Sequence, residues 1–217
     1  MTTSHLGRRF DARAAHYDNP LTTFIGEREL CCIRPLVPPG SAVLDYGCGT
    51  GRTTLDHLRR NCTVTAYDFS AKMLAVAETK ARQAGFDAEF VTDVTRLLGR
   101  TWTIVTCIGV LDYYPDPVPL LQTLRQHLAP GGRLVVTYPN ALSPLGWLYA
   151  LVSRLTIPAL PRTPGSAHQV AARAGLWVTS LRYAFPALPP LGLTLVLALS
   201  PIAEASDQCQ SYPRPEM

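Results

Sequence analysis

The chain has 217 residues, of which 47% are hydrophobic and 17% are charged, and its formal net charge is +4. This composition is typical of one globular domain, and the arginines are scattered rather than gathered into the basic stripe that nucleic-acid binding requires. The six cysteines show neither CxxC nor CxH spacing, so we expect no metal site. The first 18 residues are too polar for a signal peptide, so we expect a cytoplasmic protein with reduced thiols.

We expect residues 1–40 to form N-terminal cap helices, which precede the core and cover part of it. Two helical stretches, 10–20 and 22–40, each end at proline, the second in a Pro-Pro-Gly stop.

Strands and helices alternate in residues 41–140, which we expect to form an α/β core. The predicted strands are 41–47, 62–68, 88–93, 102–111 and 133–140. The predicted helices are 51–60, 70–85 and 116–132, the last from leucines at positions 120, 121, 124 and 128. Alternation of this kind predicts an open twisted sheet, mostly parallel, with right-handed crossovers and helices on both faces.

The remaining residues differ in character. Segment 141–175 begins with an apolar, proline-broken stretch that we expect to serve as a lid or substrate segment, and it ends in a short helix. Two strands are predicted within 176–200 as a hairpin, and 201–217 is a tail. The whole chain is therefore predicted to be one domain.

The sequence GCGTGR at 47–52 joins the first strand to the first core helix. Glycine allows a sharp turn and close approach of a ligand, and the helix N-terminus offers free N–H groups. The third glycine, Gly51, comes one position too early for the dinucleotide fingerprint, where Arg52 stands instead, and no Gly-Lys-Ser/Thr follows. The ligand therefore need not carry a pyrophosphate.

Three acids, Asp45, Asp68 and Asp93, stand at or near the ends of the first three strands. Asp68 follows Gly51 by 17 residues, close to the spacing at which a carboxylate meets a ribose in nucleotide-binding folds. Because ligands bind outside the carboxyl ends of such strands, we expect the acids to face one crevice. A pocket with these carboxylates suits an adenosine that carries positive charge.

Five stretches of the chain resemble, in order and spacing, the successive motifs of class I S-adenosylmethionine-dependent methyltransferases. They are residues 43–54, 64–77, 90–94, 104–117 and 128–140. The resemblance covers residues 10–140. It implies a Rossmann-like sheet of about seven strands with an antiparallel edge strand. It also implies S-adenosylmethionine as cofactor and S-adenosylhomocysteine as product.

The resemblance further implies which residues bind the cofactor. The glycine loop would hold its amino-acid end, Asp68 its ribose, and the side chains after the second and third strands its adenine. The residues implied are Tyr17, Asp45, Gly47, Cys48, Gly49, Gly51, Asp68, Phe69, Met73, Asp93, Val94, Cys107 and Ile108.

Methyl transfer from a sulfonium depends mainly on positioning, so no acid–base pair is obligatory. The candidate catalytic residues are Tyr113, Asp112 and His16. Many relatives have histidine at the position of Asp112 or Tyr113, and its absence argues against a histidine base there. The alternatives are a packing role for Tyr113 and a surface position for His16.

Residues 141–165 offer a large apolar surface around Trp147 and Tyr149, with Arg154 as its charge. The hypotheses are a lid for a hydrophobic acceptor, weak contact with a membrane surface, or a helix packed over the sheet. We predict methyl transfer to a small apolar or amphipathic acceptor, by a monomer or homodimer. The alternatives are a non-catalytic cofactor-binding accessory protein and a nucleotide-dependent oxidoreductase; a nucleic-acid substrate is disfavoured.

Overall fold

The computed structural model describes residues 3–154, 157–185 and 191–202. The helices are α1 (Thr3–Asp11), α2 (Pro20–Ile33), α3 (Arg52–Arg59), α4 (Ala71–Gln83), α5 (Val118–Gln126), α6 (Pro144–Ser153) and α7 (Pro164–Arg173). The strands are β1 (Ala42–Tyr46), β2 (Thr63–Tyr67), β3 (Glu89–Val91), β4 (Trp102–Cys107), β5 (Leu128–Pro139), β6 (Leu176–Ala184) and β7 (Thr194–Pro201). Short 3₁₀ turns cover Ala14–His16, Arg34–Leu36, Val94–Leu97 and Leu111–Tyr113.

The seven strands form one sheet in the order β3-β2-β1-β4-β5-β7-β6. Strands β1 to β5 pair in parallel, whereas β7 runs antiparallel to both β5 and β6. The predicted fold class is confirmed, and the antiparallel strand lies one position inside the sheet edge. The predicted hairpin is also present, since β6 and β7 pair along most of their length.

The central strands are buried because helices cover both faces of the sheet, which explains their continuous apolar runs. One core cluster contains Leu121 and Leu124 of α5 together with Val170 of α7. The other contains Leu30 of α2 and Leu58 of α3. Side chains of β1, β4 and β5 contribute to both clusters.

Some element ends differ from the prediction. Leu128 was expected in a helix, but α5 ends at Gln126 and Leu128 begins β5 by pairing with Trp102. β4 ends at Cys107 rather than residue 111, and a 3₁₀ turn follows it. β3 ends at Val91, two residues before Asp93. Of the predicted tail, residues 203–217 lie outside the described residues.

The carboxyl ends of β1, β2 and β4 meet at one edge of the sheet, where the glycine loop begins α3. α1, α2 and the turn between them lie near this edge, with α1 against α4 and α2 against α3. Within the described part of the chain, no helix is long and apolar enough to cross a membrane.

Candidate active site

The glycine loop is tied to the end of β2 and opens toward the sheet edge. Backbone N–H groups of Gly47 and Cys48 donate to the Tyr67 carbonyl at 2.7 and 2.9 Å. Gly49 has φ +54°, and a Cβ added there would meet nothing within 4 Å. Gly51 has φ +84°, but a Cβ there would lie 2.8 Å from the Cβ of Ala77 on α4. Gly49 thus leaves room for a ligand, whereas Gly51 allows α3 to pack against α4.

Asp68 follows β2 and is 6% exposed. Its Oδ2 accepts from the Gly49 N–H at 2.8 Å, and its Oδ1 accepts from the Ser70 N–H at 2.8 Å. A carboxylate offers about four acceptor positions, so each oxygen keeps one for a ligand hydroxyl. Burial raises the pKa of Asp68 to about 6, against the opposing effect of the two backbone hydrogen bonds.

Asp45 is 1% exposed and joins three elements. Its Oδ2 accepts from the Thr54 hydroxyl on α3 at 2.6 Å, and its Oδ1 accepts from the Thr106 hydroxyl on β4 at 2.9 Å. These bonds hold α3 at a set position over β1 and β4, because a buried carboxylate needs its partners.

The glycine-loop cleft lies between the loop, the end of β2 and the N-terminal segment, and its empty space is about 850 Å³ when the part open to solvent is included. Its lining consists of Phe10, Tyr17, Asp18, Thr22, Thr23, Asp45, Gly47, Cys48, Gly49, Thr50, Arg52, Thr53, Asp68, Phe69, Met73, Ile108, Gly109, Val110, Tyr113 and Tyr114. Asp18 closes one side by accepting from the Thr50 hydroxyl at 2.9 Å and pairing with Lys80. Phe10 makes edge contacts with Phe69 and Tyr113, so α1 forms part of the wall.

Most of the predicted cofactor residues line this cleft. The lining includes Tyr17, Asp45, Gly47, Cys48, Gly49, Asp68, Phe69, Met73 and Ile108 from that set. Gly51, Val94 and Cys107 are not in the lining; Val94 is 39% exposed and Cys107 is fully buried.

Asp93 is exposed and also lies outside the cleft lining. Its Oδ1 accepts from the Thr95 N–H at 2.9 Å and from the Thr95 hydroxyl at 2.8 Å. These hydrogen bonds lower the pKa of the carboxyl. Its contact with the adenine stays a prediction.

A second pocket adjoins the glycine-loop cleft, and its empty space is about 640 Å³ when the part open to solvent is included. Its lining consists of Tyr17, Thr22, Ile25, Glu29, Arg52, Gly109, Asp112, Tyr113, Thr137, Tyr138, Pro139, Tyr149, Leu193 and Thr194. The two cavities share Tyr17, Thr22, Arg52, Gly109 and Tyr113. A molecule in the second pocket would therefore be next to one in the cleft.

Of the three candidate catalytic residues, the structure brings two together. Tyr113 lines both cavities, and Asp112 lines the second pocket. Burial raises the pKa of the Tyr113 hydroxyl well above its ordinary value, so this group stays protonated. His16 is exposed and lies outside both linings.

Arg52 crosses the junction of the two cavities. Its Nη2 lies 2.9 Å from Glu29 Oε2, and its Nη1 donates to the Thr22 carbonyl at 3.3 Å. Its Nε is buried and has no hydrogen-bond partner among the described residues. Gly26 makes the crossing possible, since a Cβ there would clash with the guanidinium. The sequence marked Arg52 only as a departure from the dinucleotide pattern.

Besides Arg52 Nε, two further buried polar atoms of the second pocket lack a hydrogen-bond partner among the described residues: Oδ1 of Asp112 and the Tyr138 hydroxyl. Asp112 is 3% exposed and Tyr138 is 1% exposed. Burial raises the pKa of Asp112 to about 7. Tyr138 and Glu29 were missed because one stands in an apolar strand and the other on a helix far away in the chain.

The side chains that line the glycine-loop cleft match the chemical groups of S-adenosylmethionine. Asp68 has free acceptor positions for ribose hydroxyls, and Phe69 and Met73 offer apolar surface for an adenine. The orphan Nε–H of Arg52 suits a carboxylate, and the acids of the cleft suit a cation. Across the described ranges, no group of three or more His, Cys, Asp or Glu is placed to hold a metal ion.

Solved structures similar to this fold include methyltransferases. One is the magnesium protoporphyrin IX methyltransferase ChlM from Synechocystis PCC 6803 with bound S-adenosylhomocysteine, which is 18% identical with a TM-score of 0.64. The match covers 84% of this chain and 87% of the ChlM chain. The N,N-8-amino-8-demethyl-D-riboflavin dimethyltransferase RosA from Streptomyces davawensis is 20% identical with a TM-score of 0.68, covering 83% and 55%. At these identities the likeness shows the fold, which is that of class I S-adenosylmethionine-dependent methyltransferases.

The sequence places the chain in a family as well. A family model described as a methyltransferase domain matches residues 26–187, and the chain belongs to that family. The predicted membership is thereby confirmed.

Curated relatives include two ubiquinone biosynthesis O-methyltransferases. The protein from Pseudomonas syringae pv. tomato is 29% identical over 161 residues, which are 71% of this chain and 66% of that protein. The protein from Xanthomonas axonopodis pv. citri is 30% identical over 121 residues, which are 54% of this chain and 50% of that protein. The chain thus spans between half and two thirds of these relatives' length.

Proposed function

We propose that the protein is an S-adenosylmethionine-dependent methyltransferase whose small acceptor binds in the second pocket. The observation that carries the proposal is the junction of the two cavities, where the same five residues line both. S-Adenosylmethionine, when bound, supplies a methyl group on a positively charged sulfur, which is a good leaving group. The chain contributes by holding the acceptor beside it and excluding water, which can lower the barrier by roughly 7 to 11 kcal/mol.

Individual residues have distinct roles in this proposal. Asp68 binds the ribose hydroxyls through the acceptor positions that Gly49 and Ser70 leave free. Arg52 binds the carboxylate of the methionine end through Nε while Glu29 holds its Nη2. Tyr17 stands at the junction and limits the approach of the acceptor.

The name of the curated relatives supports oxygen as the acceptor atom. Both are O-methyltransferases of ubiquinone biosynthesis. The apolar part of the second pocket, formed by Ile25, Pro139 and Leu193, supports a hydrophobic acceptor body.

The proposal is tested by calorimetry followed by single-turnover transfer. We expect the purified protein to bind S-adenosylhomocysteine in the micromolar range and to leave NAD unbound. We also expect it to transfer a labelled methyl group from S-adenosylmethionine to a lipophilic metabolite extract. Binding of S-adenosylhomocysteine without transfer to any fraction would favour the accessory-protein alternative. Binding of NAD in its place would favour the oxidoreductase.

We further propose that α6 contacts a membrane surface, from which a hydrophobic acceptor could enter the second pocket. The helix buries its small residues and exposes its large apolar ones, including Trp147, Leu148 and Leu151 at 56% to 59% exposure. Ten residues of helix measure about 15 Å, too little for the roughly 800 Å² per partner of a stable protein interface. Tyr149, on the same helix, lines the second pocket.

Vesicle flotation tests this contact. We expect the protein to float with phosphatidylcholine–phosphatidylglycerol vesicles, and the double variant Trp147→Ser/Leu148→Ser to stay in the soluble fraction. Trp177→Ser is the matched control, because Trp177 is 55% exposed on the edge strand β6. Equal flotation of all three proteins would contradict a role for α6.

A further inference from the structure

The second pocket contains polar groups that its own walls leave unsatisfied. Asp112 and Tyr138 line the pocket. Oδ1 of Asp112 and the hydroxyl of Tyr138 are buried and find no partner among the described residues. Such groups cost free energy unless a ligand or water pairs with them. The rest of the lining includes the paired Arg52 and Glu29 and three threonines beside aliphatic and aromatic surface.

From these two orphan groups we infer that the second pocket takes an uncharged aromatic or similarly flat acceptor with a hydroxyl group. We infer also that Asp112 is the general base that removes its proton, with Tyr138 as a positioning partner. The inference rests on the proposed methyl transfer and names its acceptor class and base.

Elimination among the other polar groups leads to Asp112. Glu29 uses one oxygen for Arg52 at 2.9 Å and the other for the Thr194 hydroxyl at 2.9 Å, so it is already paired. Tyr113 keeps its own proton because burial raises its pKa. No histidine is found among the described residues that line the pocket. Asp112 remains as the carboxylate of the second pocket with an oxygen that has no partner among the described residues.

The charges of the pocket argue against a carboxylate acceptor. Arg52 is paired with Glu29 and, in the proposed function, binds the cofactor carboxylate, so an ionised Asp112 leaves the acceptor side of the pocket negative. A second carboxylate in a buried site would be repelled, whereas a hydroxyl can donate to Oδ1 of Asp112. The pocket therefore discriminates by charge as well as by shape.

The step balances without a further reactant besides the methyl donor. The acceptor oxygen forms a bond to the methyl carbon as the carbon–sulfur bond breaks, and the electron pair of that bond stays on sulfur. The hydroxyl proton passes to Oδ1 of Asp112 and later to solvent. The sulfonium charge and the carboxylate charge are both neutralised in this exchange.

The titration of Asp112 supports this role. Burial, more than the nearby Glu29 carboxylate, raises its pKa to about 7. The other titratable groups around it are Arg52, Cys107, Tyr17, Tyr113, Tyr138 and Tyr149. Burial raises the pKa of the cysteine and of the four tyrosines above the ordinary value, so Asp112 titrates before them. A base that loses its proton near neutrality is well matched to abstracting one from a phenol.

Two probes of the same bicyclic shape, 2-naphthol and 2-naphthoate, test the acceptor class. Each is titrated by calorimetry into the complex of the full chain with S-adenosylhomocysteine at about pH 8. We expect 2-naphthol to bind at least about tenfold more tightly than 2-naphthoate. Tyr138→Phe should weaken 2-naphthol binding by about fivefold and leave S-adenosylhomocysteine binding unchanged. Equal or tighter binding of 2-naphthoate, or binding of neither probe, would overturn the inference.

The base is tested by single-turnover transfer to 2-naphthol. Asp112→Asn should slow transfer at least about 100-fold while 2-naphthol affinity changes far less. The wild-type rate should rise with pH through about 7, and the residual rate of the variant should not. Asp116→Asn is the matched control, since Asp116 is an exposed carboxylate of the same loop. If Asp112→Asn transfers the methyl group at the wild-type rate and with the wild-type pH dependence, Asp112 is not the base. If the wild-type protein does not bind S-adenosylhomocysteine, the proposed function itself is wrong.

Discussion

The glycine-loop cleft and the second pocket adjoin each other, yet their buried acids differ in one respect. Asp45 and Asp68 in the cleft each accept two hydrogen bonds from the protein. Asp112 in the second pocket keeps Oδ1 without a partner among the described residues. The cleft is thus built to hold its shape before its ligand arrives, whereas the second pocket depends on its ligand to satisfy it.

This difference has a physical cause in where the acids stand. Asp45 is the second-last residue of the parallel strand β1, next to α3 and β4, so threonine hydroxyls of both elements reach it. Asp112 belongs to a 3₁₀ turn after β4, and two tyrosines near it, Tyr113 and Tyr149, pair their hydroxyls with one another. Elements next to β1 therefore supply hydrogen-bond donors to Asp45, whereas the turn that contains Asp112 supplies none to its Oδ1 among the described residues.

The largest difference should appear in stability. Asp45→Ala leaves the hydroxyls of Thr54 and Thr106 buried without their acceptor, and we expect the free energy of unfolding to fall by about 3 to 5 kcal/mol. Asp112→Asn removes no hydrogen bond from Oδ1, so it should change the free energy of unfolding by less than about 1 kcal/mol. Urea denaturation of both variants at neutral pH measures the contrast. Similar losses in the two would mean that the acids are equally structural.

The second-largest effect should appear in cofactor affinity, which we expect to depend on Asp68 of the cleft. Asp68→Asn keeps the size of the side chain but loses the charge that two ribose hydroxyls would meet. We expect S-adenosylhomocysteine to bind about 100-fold more weakly. The melting temperature should also fall, because the amide nitrogen of Asn cannot accept from one of the two backbone N–H groups that Asp68 binds. Calorimetry at neutral pH gives the affinity, and a melting curve shows that the variant folds. Wild-type affinity would exclude Asp68 from ribose binding.

The same carboxyl should make cofactor binding depend on pH. Burial raises the pKa of Asp68 to about 6 in the free protein, and hydroxyl donors favour its ionised form. Below about pH 6, binding must first remove the proton, so affinity should fall by about tenfold per pH unit. Above that value, Asp68 should add no pH dependence. Titrations from about pH 5 to 8 measure the slope, and Asp68→Asn should abolish it.

Features set by short stretches of chain were predictable from the sequence. The glycine loop, the acid after β2 and the alternation of strand and helix each depend on neighbouring residues, and they led to the confirmed fold. The lining of the second pocket depends on tertiary contact instead. Glu29 and Arg52 meet across 23 positions of sequence, and Tyr138 stands in an apolar strand where it resembles a core residue. Leu128 continued a helical spacing, but strand pairing with Trp102 prevailed.

The smallest expected effect concerns Asp93, the third acid that the sequence pointed to. Since β3 ends at Val91, its carboxylate turns to Thr95 and stays in solvent, outside the cleft lining. An exposed contact of this kind contributes little, so Asp93→Asn should weaken S-adenosylhomocysteine binding by less than about fivefold. The titration is run beside that of Asp68→Asn under the same conditions. A loss as large as that of Asp68→Asn would mean that Asp93 leaves Thr95 for the adenine, because an exposed acid can matter so much only if the ligand buries it.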